Sequence, residues 1–274
     1  VSEPADPVPE ALEAELLDVA RAAARVAASE LLARYERPVE GVGTKTTATD
    51  PVSDADRAAE AAIRALLAER RPGDAILGEE GGETAATGEG SGVRWVVDPL
   101  DGTVNYLFRY PQWSVSVAAE DADGITLAGV VLDPLRNEEL SATRSGPLVR
   151  DGAAVAQQPR AATLDVALVA TGFGYDAAVR ARQADVLLDV LPCVRDVRRG
   201  GSAALDLAWT ALGRCDAYWE RGVKAWDVAA GGLLCARAGL ELHELPVADG
   251  MPAGLLAAPP ALAAELLALV AGSR

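Results

Sequence analysis

The sequence predicts a layered α/β protein. Two features carry that expectation. Two stretches with helical apolar spacing come first and are followed by a run of short strand patterns. From about Gly152 onward, strand and helix patterns alternate to the end of the chain. With 274 residues, half of them apolar, the chain can bury one large core or two smaller ones that share an interface.

The elements follow in order. Residues 11–35 place apolar side chains at helical spacing. Residues 36–51 are polar and rich in Gly and Thr; they read as a loop or mobile hairpin that carries Lys45. Ser53 opens a second helix, with Asp54 and Asp56 in its first turn, and the apolar spacing runs to Leu67. A buried strand at 75–78 ends in Glu79-Glu80-Gly81-Gly82, and 81–92 reads as an exposed loop. Strands at 93–97, 113–119, 125–132 and 138–143 form an antiparallel meander on the two helices. Beyond it, strands at 166–170, 193–197, 217–219, 240–243 and 254–257 interleave with helices at 177–190, 203–212, 227–238 and 260–270. Two subdomains are expected, 1–150 and 151–274, packed closely around one site.

The net charge is −16, which repels nucleic acid and anionic membrane, so neither is expected as a partner. Three cysteines without close pairs and a single histidine, His243, argue against a disulfide framework and a zinc site. Any metal must therefore take oxygen ligands, as Mg, Mn or Ca do. Residues 1–10 are acidic and Pro-rich, unlike a signal peptide, and no run of 18 apolar residues occurs; the reading is cytoplasmic.

The chemistry concentrates in Trp95-Val96-Val97-Asp98-Pro99-Leu100-Asp101-Gly102-Thr103. An apolar strand ends in two carboxylates spaced i, i+3. Pro99 fixes the exit direction, Gly102 permits close backbone approach, and Thr103 is placed to start a helix whose free N–H groups suit an anion. Carboxylates for metal beside amides for phosphate make a phosphoryl-transfer constellation. Three weaker features accompany it. In Gly78-Glu79-Glu80 only one glutamate should face a shared site, because neighbours on a strand point to opposite faces. Asp227 follows Trp226 and opens a helix, where an Asp also serves as a plain cap. Asp56 and Thr103 could together orient a water.

Together these elements resemble the inositol monophosphatase family of Mg-dependent, lithium-sensitive phosphatases. The family's first signature resembles Trp95 to Asn105, its second Glu220 to Gly231; its Gly-Glu-Glu element resembles Gly78 to Glu80, and its Val-Ser-x-x-Asp element Val52 to Asp56. The resemblance spans about Lys45 to Gly239 and implies alternating layers, αβαβα. It implies that Glu79, Asp98 and the Leu100 carbonyl hold one Mg ion, and that Asp98, Asp101 and Asp227 hold a second. Glu79, Thr103 and Asp56 become the catalytic residues, the last two by orienting the attacking water. Substrate contacts fall to Lys45, Asp101, Gly102, Thr103, Gly201, Ser202, Ala203, Glu220 and Asp227. Two-metal hydrolysis is the implied logic, with one ion activating water and the other steadying the leaving oxygen. Lys224 either adds a cation beside the substrate or pairs with a neighbouring acid.

The expected substrate is a small polyol phosphate monoester, inositol monophosphate first, with Glu220 accepting from its hydroxyls. Histidinol phosphate and 3′-phosphoadenosine 5′-phosphate are the alternatives, as is a mainly non-enzymatic interaction role of the same fold. The family suggests a homodimer. Cys193 and Arg199 have cysteine-phosphatase spacing, but the interval between them reads as a strand. Arg195, Arg198 and Arg199 form a basic cluster suited to a subunit interface or a salt-bridge network.

Overall fold

The computed structural model describes residues 9–36, 43–44, 51–87 and 91–271. Helix α1 is Glu10–Tyr35, strands β1 and β2 are Gly43–Thr44 and Pro51–Val52, and α2 is Asp54–Arg70. Strands β3 (Ala75–Gly78), β4 (Gly82–Thr84) and β5 (Arg94–Asp101) lead into the short α3, Thr103–Leu107. Strands β6 (Ser114–Glu120), β7 (Thr126–Asp133), β8 (Glu138–Thr143), β9 (Val149–Arg150) and β10 (Ala153–Ala154) follow. The second half comprises β11 (Leu168–Thr171), α4 (Ala177–Val190), β12 (Asp196–Arg198), α5 (Ala203–Ala211) and β13 (Ala217–Arg221). It ends with α6 (Ala225–Arg237), β14 (Glu241–Leu245), β15 (Gly254–Ala258) and α7 (Pro260–Val270).

Period-two patterning in the first sheet serves two cores. Trp95, Val97, Val115, Val117, Val130 and Leu132 face α1 and α2, whose inward stripe includes Leu16, Ala20, Ala27, Leu31, Ile63 and Leu67. Val96, Ala118 and Val131, on the alternate positions, face Leu205 and Ala208 of α5 and Ala230 and Leu234 of α6. That cluster continues into Ala170, Tyr218 and Ala257 of the second sheet. The second sheet's other face, with Val169 and Leu256, packs on Val186 and Val190 of α4 and Leu262 and Leu266 of α7. The layers are therefore α1/α2, an eight-stranded sheet, α5/α6, a five-stranded sheet and α4/α7, the expected αβαβα order. The middle layer packs tightly. A Cβ on Gly231 of α6 would lie 2.6 Å from Leu207 Cβ of α5, so glycine is needed there despite its low helix propensity.

The first sheet runs β10-β9-β8-β7-β6-β5-β3-β4. The expected antiparallel meander is present as β5-β6-β7-β8, and β3, read as a separate strand, joins its edge parallel to β5, with Ala75 opposite Arg94. The connection from β3 to β5 passes through β4, a strand within the stretch expected to be all loop. The β9–β10 hairpin was also unread. Its turn is Asp151-Gly152, both at positive φ (50° and 82°), the conformation a type I′ turn demands. The second sheet, β12-β11-β13-β15-β14, is mixed: β11 is parallel to β12 and β13, whereas β15 is antiparallel to β13 and β14. Several strand boundaries move: β5 runs on to Asp101 and β13 to Arg221, past the expected 97 and 219. Residues 164–166 form a 3₁₀ turn before β11, and β12 begins at Asp196 rather than 193. Among the described residues, no helix is long and apolar enough to cross a membrane.

Candidate active site

The C-terminal end of β5 makes the site. Asp98 pairs with Ser116 of β6 and Asp101 with Ser114, so three steps on β5 match two on β6. Residues spaced i, i+3 normally face opposite sides of a sheet. The extra residue of this bulge puts Asp98 and Asp101 on the same face, the one turned toward α5 and α6. Asp98 is 1% exposed, and its Oδ1 accepts the Leu100 N–H at 2.9 Å.

Helix α5 meets Asp101 end-on. Asp101 Oδ2 accepts the Ser202 hydroxyl at 2.6 Å and the Ala204 N–H at 2.7 Å, so the carboxylate caps that helix from another strand. Asp227 lies in the first turn of α6, where its Oδ2 accepts the Lys224 N–H at 2.6 Å. Ser116 donates to the Trp226 carbonyl at 3.0 Å and so ties β6 to the start of that helix. The result is a cluster of Asp98, Asp101 and Asp227, with one oxygen from each within 4.8 Å of the others. Glu79, beyond β3, shares a hydrogen bond with Asp98. Both Glu79 and Glu80 line the cleft, contrary to the expectation that only one would. The turn after β3 abandons strand geometry, so the alternation argument stops applying at Gly78.

Charge crowding dominates the electrostatics. Burial, then Glu79, Asp101 and Asp227, hold the Asp98 carboxyl well above its usual range. Burial and Asp101 do the same to Asp227. Burial pushes Asp101 up to about 6 against the pull of its Ser202 and Ala204 donors. The set fits a divalent cation: two buried carboxylates and one half-buried one, Asp227, converge, every donor is an oxygen, and neither histidine nor cysteine lines the cleft. The Leu100 carbonyl, at the same strand end, accepts Thr103 Oγ1 at 3.2 Å and keeps a second lone pair.

Beside the cluster, Thr103 Oγ1 lies 2.9 Å from Asp56 Oδ1, joining residues 47 apart in sequence. Asp56 is fixed by its other oxygen, which accepts the Ser53 N–H at 2.9 Å in the capping box of α2. Gly102 precedes α3 at φ 94°, and a Cβ there would lie 3.0 Å from the Gln112 carbonyl. Only glycine fits both constraints. Asn105 of α3 donates to the Gln112 and Gly200 carbonyls at 2.6 and 3.0 Å, which brings the 200–201 loop against the β5 end.

A cleft of about 700 Å³ opens over these groups. Gly201, Ala203 and Glu220 line it, as do Gly102, Thr103 and Asp227. Ser202 does not. It is fully buried, and its hydroxyl is spent on Asp101 while meeting Ser114 Oγ at 3.1 Å, so it holds a carboxylate in place rather than forming wall. Lys45 lies outside the described residues. Lys224 lines the cleft, and its ammonium pairs with no acid among the described residues, so of its two expected roles the ion pair is not made there. The arginine cluster divides. Arg198 pairs with Asp196, Arg195 donates to the Val166 carbonyl, and Arg199 lines the cleft with its guanidinium 5.9 Å from the Phe173 ring.

Glu220 projects from β13, where Tyr218 Oη donates to its Oε2 at 3.0 Å, and burial pushes its carboxyl up to about 7. Room for it comes from Gly172, where a Cβ would sit 2.0 Å from Glu220 Oε1. Gly172→Ala must therefore push the carboxylate out of position. For the polyol phosphate that the family resemblance implies as substrate, KM should rise about tenfold with little change in kcat, the loss of one charge-assisted hydrogen bond. Steady-state kinetics check this, and an unchanged KM would remove Glu220 from the substrate wall. Sequence reasoning missed Gly172, the rim residues Phe173 and Tyr175, and Asp206. Asp206, of α5, is 4% exposed and held well above the usual carboxylate range by burial and by Glu220. The strand-end glycine was the only signal for any of these.

The sequence pattern of the inositol monophosphatase family matches residues 12–272. Inositol-1-monophosphatase SuhB of Mycobacterium tuberculosis is 47% identical over 234 residues, 83% of this chain and 80% of the relative. The Nus factor SuhB of Pseudomonas aeruginosa is 41% identical over 232 residues, 82% of this chain and 83% of the relative. Among solved structures, the extragenic suppressor protein suhB of Bartonella henselae superposes with a TM-score of 0.84 at 32% identity, covering 94% of this chain and 98% of that one. This is the fold and carboxylate site of a metal-dependent phosphatase family. The chain belongs to the inositol monophosphatase family.

Proposed function

We propose that this protein is a magnesium-dependent phosphatase that hydrolyses a small polyol phosphate monoester, inositol monophosphate first. The observation that carries the reading is the convergence of Asp98, Asp101 and Asp227 within 4.8 Å, beside the Thr103–Asp56 pair. Glu79, Asp98 and the Leu100 carbonyl would hold one cation; Asp98, Asp101 and Asp227 would hold another. Such ions supply charge neutralisation at phosphate and leaving oxygen and lower the pKa of water. Asp56 Oδ1 accepts the Thr103 proton, which leaves the Thr103 oxygen to accept from and orient a water. Water adds to phosphorus, the ester P–O bond breaks, one proton of the attacking water passes to the leaving ester oxygen, and the alcohol and inorganic phosphate leave. Glu220 accepts hydrogen bonds from substrate hydroxyls, while Gly102, Thr103, Gly201 and Ala203 surround the phosphate and the ring. Residues 1–150 and 151–274 act as two subdomains closing on this site, in a cytoplasmic homodimer.

The test is phosphate release from inositol phosphates, histidinol phosphate, fructose 1,6-bisphosphate and 3′-phosphoadenosine 5′-phosphate, with and without Mg. Mg-dependent release led by inositol monophosphate is expected. Faster cleavage of the adenosine bisphosphate overturns the polyol assignment; the aromatic rim of Phe173, Tyr175 and Trp226 is what favours that second reading. No release from any ester would favour an interaction role, in keeping with the name of the Pseudomonas relative.

A further inference from the structure

Helix α2 contributes a second buried carboxylate one turn after Asp56. Glu60 is 3% exposed and lies under the turn that carries Glu79. Its Oε2 accepts the Glu80 N–H at 2.7 Å, and its Oε1 accepts the Gly81 N–H at 2.8 Å. Arg64, four residues on, donates to Glu60 Oε1 at 2.7 Å, to the Gly82 carbonyl at 2.7 Å and to Thr84 Oγ1 at 2.9 Å. The turn is drawn down tightly onto this pair: a Cβ on Gly78 or Gly81 would sit 2.6 Å from Glu60 Oε1. On its other side, the Glu79 N–H reaches the Val97 carbonyl of β5 at 3.3 Å.

We propose that Glu60, backed by Arg64, is a positioning residue that holds the Glu79 carboxylate at the cation site; this rests on the metal-dependent reading above. A surface hairpin turn needs no buried carboxylate, and burying one costs free energy unless it is fully paired. Here it is fully paired, to two consecutive amides and a guanidinium. Glu79 needs such an anchor, because in the metal-free site it faces the like charge of Asp98 and Asp101. Glu60 is also four residues from Asp56, so both lie on one face of one rigid helix. That helix therefore sets the partner of Thr103 and the turn of Glu79 together, fixing the water-orienting pair relative to a cation ligand.

The experiment titrates Mn²⁺, followed by electron paramagnetic resonance without substrate, into wild type, Glu60→Gln, Glu79→Ala and the double variant. Glutamine keeps the volume but turns an NH₂ toward N–H groups. Glu60→Gln should weaken Mn²⁺ binding roughly 10–100-fold, the usual effect of removing an outer-shell partner. The double variant should bind no worse than Glu79→Ala alone, because Glu60 acts through Glu79. Wild-type affinity in Glu60→Gln, or losses that multiply in the double variant, would overturn the proposal. If Glu60→Gln does not fold, Arg64→Lys supplies the same test with the charge kept and the fork removed. A wild type that binds no Mn²⁺ is a different failure, since it removes the cation site itself.

Discussion

Asp98→Asn should lower the rate of phosphate release about 10³-fold or more while making the metal-free protein more resistant to heat than wild type. Both effects follow from the position of one carboxylate. Asp98 lies at the centre of the cluster, with burial and the charges of Glu79, Asp101 and Asp227 all raising its pKa. Asparagine keeps the oxygen that accepts the Leu100 N–H, so the strand end retains its shape. It removes a charge that the metal-free fold resists burying, and stability rises. The same change removes a ligand shared by both proposed cations, and several kcal/mol of charge stabilisation at the reacting phosphate correspond to about three powers of ten in rate. Thermal unfolding in chelator and phosphate release in saturating Mg measure the two arms. Loss of activity with a lower melting temperature would mean that Asp98 is structural. Retained activity would end the phosphatase assignment to this cluster.

The strand that ends in Asp98 and Asp101 was legible because its signal is local: an apolar run, a proline that fixes direction and a glycine that only a tight approach requires. The capping box of α2 was legible for the same reason. What joins Asp56 to Thr103, or α5 to Asp101, is tertiary, and no local pattern announces it. The parallel pairing of β3 with β5 was hidden because the order of short strands in a sequence does not name their neighbours in the sheet. The β9–β10 hairpin was different. Asp151-Gly152 is a strong turn signal that stood in the sequence and went unread between two strands of only two residues each.

Gly172 and Glu60 illustrate why second partners escape sequence reading. Gly172 matters only because Glu220, 48 positions later, needs the space of its missing Cβ. Glu60 looks like an ordinary helix-surface acid with an arginine at i+4, a pairing worth a few tenths of a kcal/mol on an exposed helix. It acquires its role only when the β3–β4 turn folds over it. Ser202 makes the same point in reverse. A position expected to face substrate instead supports Asp101, since the N-terminus of α5 meets the carboxylate end-on.

Chelated protein should lose stability as pH rises from about 4 to 8, and Mg should restore more of it at the higher pH. Glu220 is raised to about 7 and Asp101 to about 6, and Asp98, Asp227 and Asp206 stand well above the usual carboxylate range. A carboxyl with a folded pKa above its unfolded value binds more protons folded than unfolded. Its stabilising contribution is full below the unfolded pKa and disappears as pH rises through the folded one. Glu220 alone, moving from 4.5 to about 7, corresponds to on the order of 3 kcal/mol over that window. The cluster's other shifts are mutual and do not simply add. Glu138 titrates in the opposite sense; burial works against its lowering, but Arg214 and Arg150 prevail. The informative quantity is therefore the gap in melting temperature between Mg-loaded and chelated protein. A cation binds the deprotonated cluster, so its gain, about 2.7 kcal/mol at a hundredfold excess over Kd, should grow with pH. Melting curves from pH 5 to 8.5, with Mg and with chelator, measure it directly. A gap that stays flat with pH would mean the carboxylates are already ionised without metal, and the crowding that makes this site a cation trap would have to be abandoned.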